Sequence, residues 1–185
     1  NYGRFIGEAI QSALEQDYPH DRIEIIVVDD GSTDGSREVI ADFAAAGKVR
    51  AVLQPNQGQA AAFEAGVSIA TGDFVCFLDS DDLFLPGKLS RLAAHIGELS
   101  PLPADLFMCH DALIFDHGSG RPIETTWLQF LGLPRYGNVL EIGRVEQEFP
   151  FSIPCGQVFS HALIQRICAG LPSADWKTAA DFPIA

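Results

Sequence analysis

Twice along the chain a short β-branched or aromatic run ends, with no transitional residue, in a cluster of aspartates. Ile23-Glu24-Ile25-Ile26-Val27-Val28 runs into Asp29-Asp30-Gly31-Ser32-Thr33-Asp34, and Phe74-Val75-Cys76-Phe77-Leu78 runs into Asp79-Ser80-Asp81-Asp82. Both apolar runs have the length and composition of buried strands. Helical patterns separate them. Residues 4–16 place Phe5, Ile6, Ala9, Ile10, Ala13 and Leu14 on one face. A second helix, capped by Ser32, Thr33 or Asp34, carries Val39, Ile40 and Phe43. Residues 49–53 form a short strand, 59–70 a helix of small residues, and 86–99 a helix with Pro86 in its first turn and Leu89, Leu92, Ala93 and Ile96 inward. This alternation predicts an α/β fold, a Rossmann-like, mostly parallel sheet with helices on both faces.

Beyond Pro103 the rhythm changes. Residues 105–116 read as one long strand and 117–120 as the turn of a hairpin. Residues 157–159 read as a strand and 161–169 as a helix stopped by Gly170. Residues 122–148 carry no clear pattern. A chain of 185 residues is expected to form a single domain. Both of its ends read as cut.

Charge narrows the function. Twelve Lys and Arg against 25 Asp and Glu give a net charge of −13, which excludes the basic stripe that a nucleic-acid-binding domain needs. Cys76, Cys109, Cys155 and Cys168 form no CxxC pair, so neither a zinc knuckle nor a disulfide scaffold is indicated. Free thiols and the lack of a signal-peptide pattern at the start point to a cytoplasmic location, with the inner face of the membrane left open. No apolar run is long enough to span a bilayer.

In an open α/β sheet, ligands bind outside the carboxyl ends of the strands. Asp29 and Asp30 leave one strand there, and Asp79, Asp81 and Asp82 another. Such carboxylates repel one another unless a divalent cation sits among them. Their hard oxygens suit Mg2+ or Mn2+, which keep positions open for phosphate oxygens. The competing explanation, solvated loop acids and helix caps, suits Ser32 and Asp34 better than Asp79 and Asp81.

At this point the residues carry a resemblance. Val27-Val28-Asp29-Asp30-Gly31-Ser32-Thr33-Asp34 resembles the first signature of the family 2, GT-A-fold glycosyltransferases. Asn56-Gln57-Gly58, with Gly66 downstream, resembles the family's Asn-x-Gly…Gly segment. Thr71-Gly72-Asp73 through Asp79-Ser80-Asp81-Asp82 resembles its Gly-(Asp/Glu)-strand-Asp-x-Asp-Asp signature. The likeness is densest over residues 1–100. Pro154-Cys155-Gly156-Gln157 resembles a small-residue segment on the acceptor side, and Ala180-Asp181 sits where the family carries Glu-Asp.

The resemblance implies a GT-A nucleotide-diphospho-sugar transferase domain over 1–185, truncated at both ends, with a nucleotide-binding half at 1–100 and an acceptor-side half at 101–185. It implies nucleotide contacts from Asp29, Asp30, Asn56, Gly58 and Asp79, with Asp29 accepting from the base. Asp79 and Asp81 become ligands of Mg2+ or Mn2+, Asp82 orients them or the sugar, and Asp181 is the catalytic base of an inverting transfer. The donor is then a nucleotide-diphosphate sugar, most often a UDP-sugar, and the acceptor a glycan, a lipid-linked acceptor or a protein.

The family's Arg-Asn pair after Asn-x-Gly corresponds here to Phe63 and Glu64, and the Glu of Glu-Asp is Ala180. These departures motivate the alternative of a catalytically inactive GT-A-like module that binds nucleotide sugars. Elsewhere, Trp127, Tyr136 and Trp176 could stack on sugar rings or simply pack. His110 is a satisfied or solvent-facing histidine by default. Cys155 is a small residue in a tight place rather than a nucleophile.

Overall fold

The computed structural model describes residues 1–116, 121–130 and 154–170. Strand β1 is Ile26–Asp30, and β2, Arg50–Gln54, pairs with it in parallel, Val28 opposite Val52 and Asp30 opposite Gln54. The strand therefore begins later than the sequence suggests and takes in both aspartates. Alternate residues of a strand face opposite sides, so Asp29 and Asp30 point away from each other although adjacent.

Two cores follow from that alternation. On one side of β1, Val27 packs with Ile40 of helix α2 (Ser36–Ala45), with Ile6 and Ile10 of helix α1 (Ile6–Leu14), and with Val49. On the other side lies helix α3, Gln59–Ile69. Gly66 lets it come close, since a Cβ there would stand 3.3 Å from a Val28 methyl. The remaining surface of α3 helps close the second core, in which Val67, Phe77, Phe159 and Ile164 are buried. The ring of Phe63 lies 4.5 Å from that of Phe77, and Phe159 meets both Phe77 and Phe107.

The second sheet carries that core. Strand β3 (Phe74–Cys76) and β4 (Phe107–Cys109) flank β7 (Gln157–Ser160), both antiparallel to it. Helix α6, His161–Gly170, follows β7 directly and packs on α3. A hairpin of β5 (Leu113–Asp116) and β6 (Arg121–Thr126) pairs Asp116 with Arg121, and helix α5 (Trp127–Phe130) closes it. Helix α4, Lys88–Glu98, follows the second acidic cluster.

The α/β architecture with helices on both faces of β1 is the expected one. The pairing is more mixed than a mostly parallel sheet. Among the described residues only β1 and β2 pair in parallel, because β7 runs back between β3 and β4. The long strand expected over 105–116 is two strands. Asp111 breaks it: its Oδ1 accepts from the N–H of Ala112 and of Leu128, each at 2.9 Å, and turns the chain toward α5. Pro86 is not inside α4. It forms a turn with Gly87, whose φ of +80° ends the loop before Lys88.

Candidate active site

The first acidic pair divides its work between the two faces of β1. Asp29 is 3% exposed. Its Oδ1 accepts from the Ser32 N–H at 3.1 Å and from Arg37 Nε at 2.7 Å. Burial alone would raise its pKa, but the hydrogen bonds from Ser32 and Arg37 outweigh burial and hold the carboxyl below its ordinary value. Asp29 thus stays charged and fixes the turn that opens α2.

Asp30 works on the α3 face. Its Oδ1 accepts from Gln54 Nε2 at 2.7 Å and from the Gln57 N–H at 2.9 Å, and its Oδ2 accepts from the Gly58 N–H at 2.7 Å. The carboxylate therefore clamps the whole Pro55-Asn56-Gln57-Gly58 turn. Gly31 completes the fit. At φ +82°, a Cβ on it would stand 2.6 Å from the Asn56 nitrogen, closer than any real contact. Gly58 itself has φ +95° and leads straight into α3, a conformation that favours glycine. Asn56 is exposed on the tip of this turn.

The second cluster meets the first through α3. Gln59, next to Gly58, donates from Nε2 to Asp79 Oδ1 at 3.1 Å. Asp30 and Asp79, 49 positions apart in sequence, are each one hydrogen bond from consecutive residues. Both acidic groups hence lie on one edge of the molecule. Asp82 N–H closes a tight turn on the Asp79 carbonyl at 3.1 Å, and Asp81 is exposed at its apex.

Negative charge here is undercompensated. Burial, then the charges of Asp82 and Asp81, push the Asp79 pKa up to about 6, against a small opposing effect of the Gln59 hydrogen bond. The folded protein then holds a proton on Asp79 that the unfolded chain has lost above about pH 4. Folding stability is expected to fall as pH rises from about 4 to 6, by on the order of 2 kcal/mol, and to level off above that. Asp79→Asn removes this slope. Urea unfolding of both proteins at pH 4.5, 5.5 and 7 measures it, and parallel curves for the two would show that Asp79 ionises normally.

The family resemblance implies a divalent cation at this edge. Among the described residues no three His, Cys, Asp or Glu side chains converge into a cage. Mg2+ and Mn2+ sites of substrate-bridging type do not need one: one or two carboxylates suffice, with phosphate oxygens and water completing the shell. An exposed Asp81 beside an Asp79 whose proton is easily displaced fits that description.

A lysine and a thiol line the inner side of the loop. Lys88 Nζ donates to the Cys155 carbonyl at 2.7 Å and lies 3.5 Å from the Phe84 ring centroid. Burial lowers its pKa to about 8, opposed by Cys76, Cys155 and Asp82. Burial and a hydrogen bond with Asp82 raise the Cys155 thiol far out of the nucleophilic range, in keeping with a small residue in a tight place. Gly156 is equally confined, since a Cβ would stand 2.8 Å from the His110 carbonyl oxygen. His110 donates its own N–H to Gly156 O at 3.0 Å. Its Nδ1 pairs with the Asp111 carbonyl at 2.9 Å, while Nε2 is buried with no partner among the described residues. Sequence reasoning gave Lys88 no role at this edge; its place four residues after Phe84 was the only available signal. Trp127 stacks on Phe130 at 5.8 Å. The N-cap of α2 is Gly35, without a side-chain cap bond, so none of Ser32, Thr33 and Asp34 holds that position; Asp34, one residue before it, accepts from the Ser36 N–H at 3.0 Å and from the Gly3 N–H at 2.9 Å. Asp181, Ala180, Tyr136 and Trp176 lie outside the described residues.

Comparison with known proteins follows the same outline. The family model for glycosyl transferase family 2 matches residues 1–167. A glycosyltransferase of Nostoc sp. is 50% identical over 94 residues, which are 50% of this chain and 29% of that protein. The crystal structure of Staphylococcus aureus TarS 1–349 superposes with a TM-score of 0.70 at 23% identity, covering 98% of this chain and 50% of that one. A mannosyltransferase of Pyrobaculum calidifontis, in complex with GDP-Man and Mn2+, gives a TM-score of 0.61 at 20% identity over 98% of this chain and 47% of its own. The structural likenesses establish the GT-A fold. This chain spans less than half the length of the curated relatives it matches.

Proposed function

The chain belongs to glycosyl transferase family 2, and from that premise we propose that it transfers a sugar from a nucleotide-diphosphate donor to an acceptor hydroxyl, with inversion and with dependence on Mg2+ or Mn2+. The observation that carries this reading is the meeting of the two acidic groups: Asp30 on Gly58 and Asp79 on the adjoining Gln59. TarS in complex with UDP and with UDP-GlcNAc, at TM-scores of 0.68 and 0.66, supports a UDP-sugar as the donor. On this reading residues 1–100 bind the nucleotide and 101–185 face the acceptor. That acceptor is a glycan, a lipid-linked acceptor or a protein, handled in the cytoplasm or at the inner face of the membrane. Among the described residues no helix is long and apolar enough to cross a membrane.

The parts act as follows. The clamped turn with Asn56 and Gly58 offers a preformed seat for the nucleoside, where Gly58 permits close backbone approach. Asp29, buried on the opposite face of β1 and bonded to Ser32 and Arg37, holds the adjoining turn rigid rather than meeting the base as the resemblance implied. Asp79 and Asp81 would hold the cation, which neutralises charge on the departing diphosphate. Asp181 takes the proton of the attacking hydroxyl, whose oxygen bonds to the anomeric carbon as the bond to the diphosphate breaks with its electron pair. Calorimetric titration with UDP, with and without Mn2+, tests the proposal. Metal-dependent binding is expected, and its absence for UDP, GDP and dTDP alike would defeat it.

The second reading, an inactive nucleotide-sugar-binding module, draws on Phe63 and Ala180. The tilted contact of Phe63 with Phe77 gives that position a packing role, so the absent arginine needs no loss of turnover to explain it. Hydrolysis of the sugar donor that disappears in Asp181→Asn would exclude the inactive module.

A further inference from the structure

Among the described residues the loop that carries Asp81 and Asp82 has no strand partner, and α4 beyond it buries no residue fully. Besides the Asp82–Cys155 hydrogen bond and the buried Phe84, the end of α1 and the residues just past it hold the loop. Gln16, 3% exposed, sits 69 residues upstream of Leu85. Its Nε2 donates to the Leu85 carbonyl at 3.1 Å and to the Ser12 carbonyl at 3.0 Å, while its Oε1 accepts from the Leu89 N–H at 3.1 Å. One buried amide thus grips both sides of the Pro86–Gly87 turn. Ser12 adds a third point, its Oγ accepting from the Phe84 N–H at 3.0 Å, and Asp17 a fourth, accepting from Ser90 Oγ at 3.0 Å. A buried primary amide is costly unless its groups are paired. Here one bond goes to Leu85 at the end of the loop, one to Leu89 in the first turn of α4, and one to Ser12 in α1.

We propose that Gln16 is a positioning residue for the acidic loop: its amide spans the Pro86–Gly87 turn and so fixes Asp81 and Asp82 on the edge they share with Asp30. The inference rests on the glycosyltransferase reading for its functional consequence. Misplacement of a reacting group by about 1 Å can cost about 10²-fold in rate even when the altered residue is remote. Gln16→Leu keeps the size of the side chain and removes both polar groups. It is expected to lower kcat about 10²-fold and to raise the Mn2+ concentration for half-maximal activity. Affinity for UDP without metal should stay unchanged, because the Asp30 clamp is untouched. Ser12→Ala should act in the same direction more weakly, and serves if the leucine variant does not fold.

Ile40→Ala, in the core on the far side of β1, is the stability control. It lowers the unfolding midpoint without moving the Mn2+ dependence. Amide hydrogen exchange adds a readout independent of activity: the Leu89 N–H should exchange faster in Gln16→Leu and the Phe84 N–H in Ser12→Ala. A Gln16→Leu protein with wild-type Mn2+ dependence and wild-type exchange at Leu89 overturns the inference. A wild-type protein that binds no nucleotide with Mn2+ overturns the glycosyltransferase reading instead, and exchange at Leu89 still decides whether the clamp exists.

Discussion

Asp81→Asn is expected to lower sugar transfer by ~10²–10³-fold, the scale on which removing one preorganised charge-stabilising group acts. The argument starts from exposure. Asp81 stands at the apex of the turn closed between Asp82 and Asp79, and it is the exposed member of the three. Its carboxylate is therefore available to a cation without breaking a bond inside the protein. Asp79, half-buried and bonded to Gln59, would share the cation but offers fewer free lone pairs than Asp81. Folding should be little affected, since an exposed carboxylate with no hydrogen-bond or ion-pair partner among the described residues contributes little. Steady-state kinetics with a UDP-sugar and Mn2+, beside urea unfolding, separates the two effects. A variant within about threefold of wild-type kcat/KM would remove Asp81 from the cation site.

Asp30→Ala is expected to destabilise the fold by ~2–4 kcal/mol and to abolish nucleotide binding at any practical concentration. Three donors converge on this carboxylate, two of them backbone N–H groups of the Pro55–Gly58 turn. Hydrogen bonds to a charged group contribute ~1.5–3 kcal/mol each, and the three share one acceptor, so their sum is an upper bound. Once the carboxylate is gone, the turn is free to leave Gly31, and the seat between β1 and α3 loses its shape. Asp30→Asn keeps an oxygen for one of the backbone groups and should lose about half as much stability. Urea midpoints and m-values measure both variants. A loss below about 0.5 kcal/mol for the alanine variant would mean that the turn is held by something other than Asp30.

Much of this edge was legible in the sequence because its signals are local. An apolar run that ends in aspartates marks both a strand and the place where the strand meets solvent. The glycines at 31, 58 and 66 serve a turn, a helix entry and a close helix–strand contact, each of which needs a missing side chain. The limits are equally physical. The parallel pairing of β1 and β2 was readable from their spacing, whereas β7, which pairs with β3 and β4, comes from more than 80 positions after β3. No local pattern encodes that partner. Residues 105–116 looked continuous because Leu106 to Phe115 is β-prone, yet Asp111 gains more by capping the turn toward α5 than by staying in a strand. Gln16 was passed over for a similar reason. A glutamine at a helix end looks like an ordinary surface residue until the loop that it holds is placed beside it.

The alternation along β1 makes the order of its last residues more demanding than their composition. Asp29 and Asp30 are the same amino acid with opposite duties, one paired with a guanidinium behind the sheet and the other gripping main-chain amides in front. Inserting a single residue between Ile26 and Val28 would leave the motif intact to any reader of the text while turning each carboxylate to the wrong side. Sequence designers who graft this Asp-Asp element onto another scaffold must therefore preserve its phase relative to the pleat, not merely its letters.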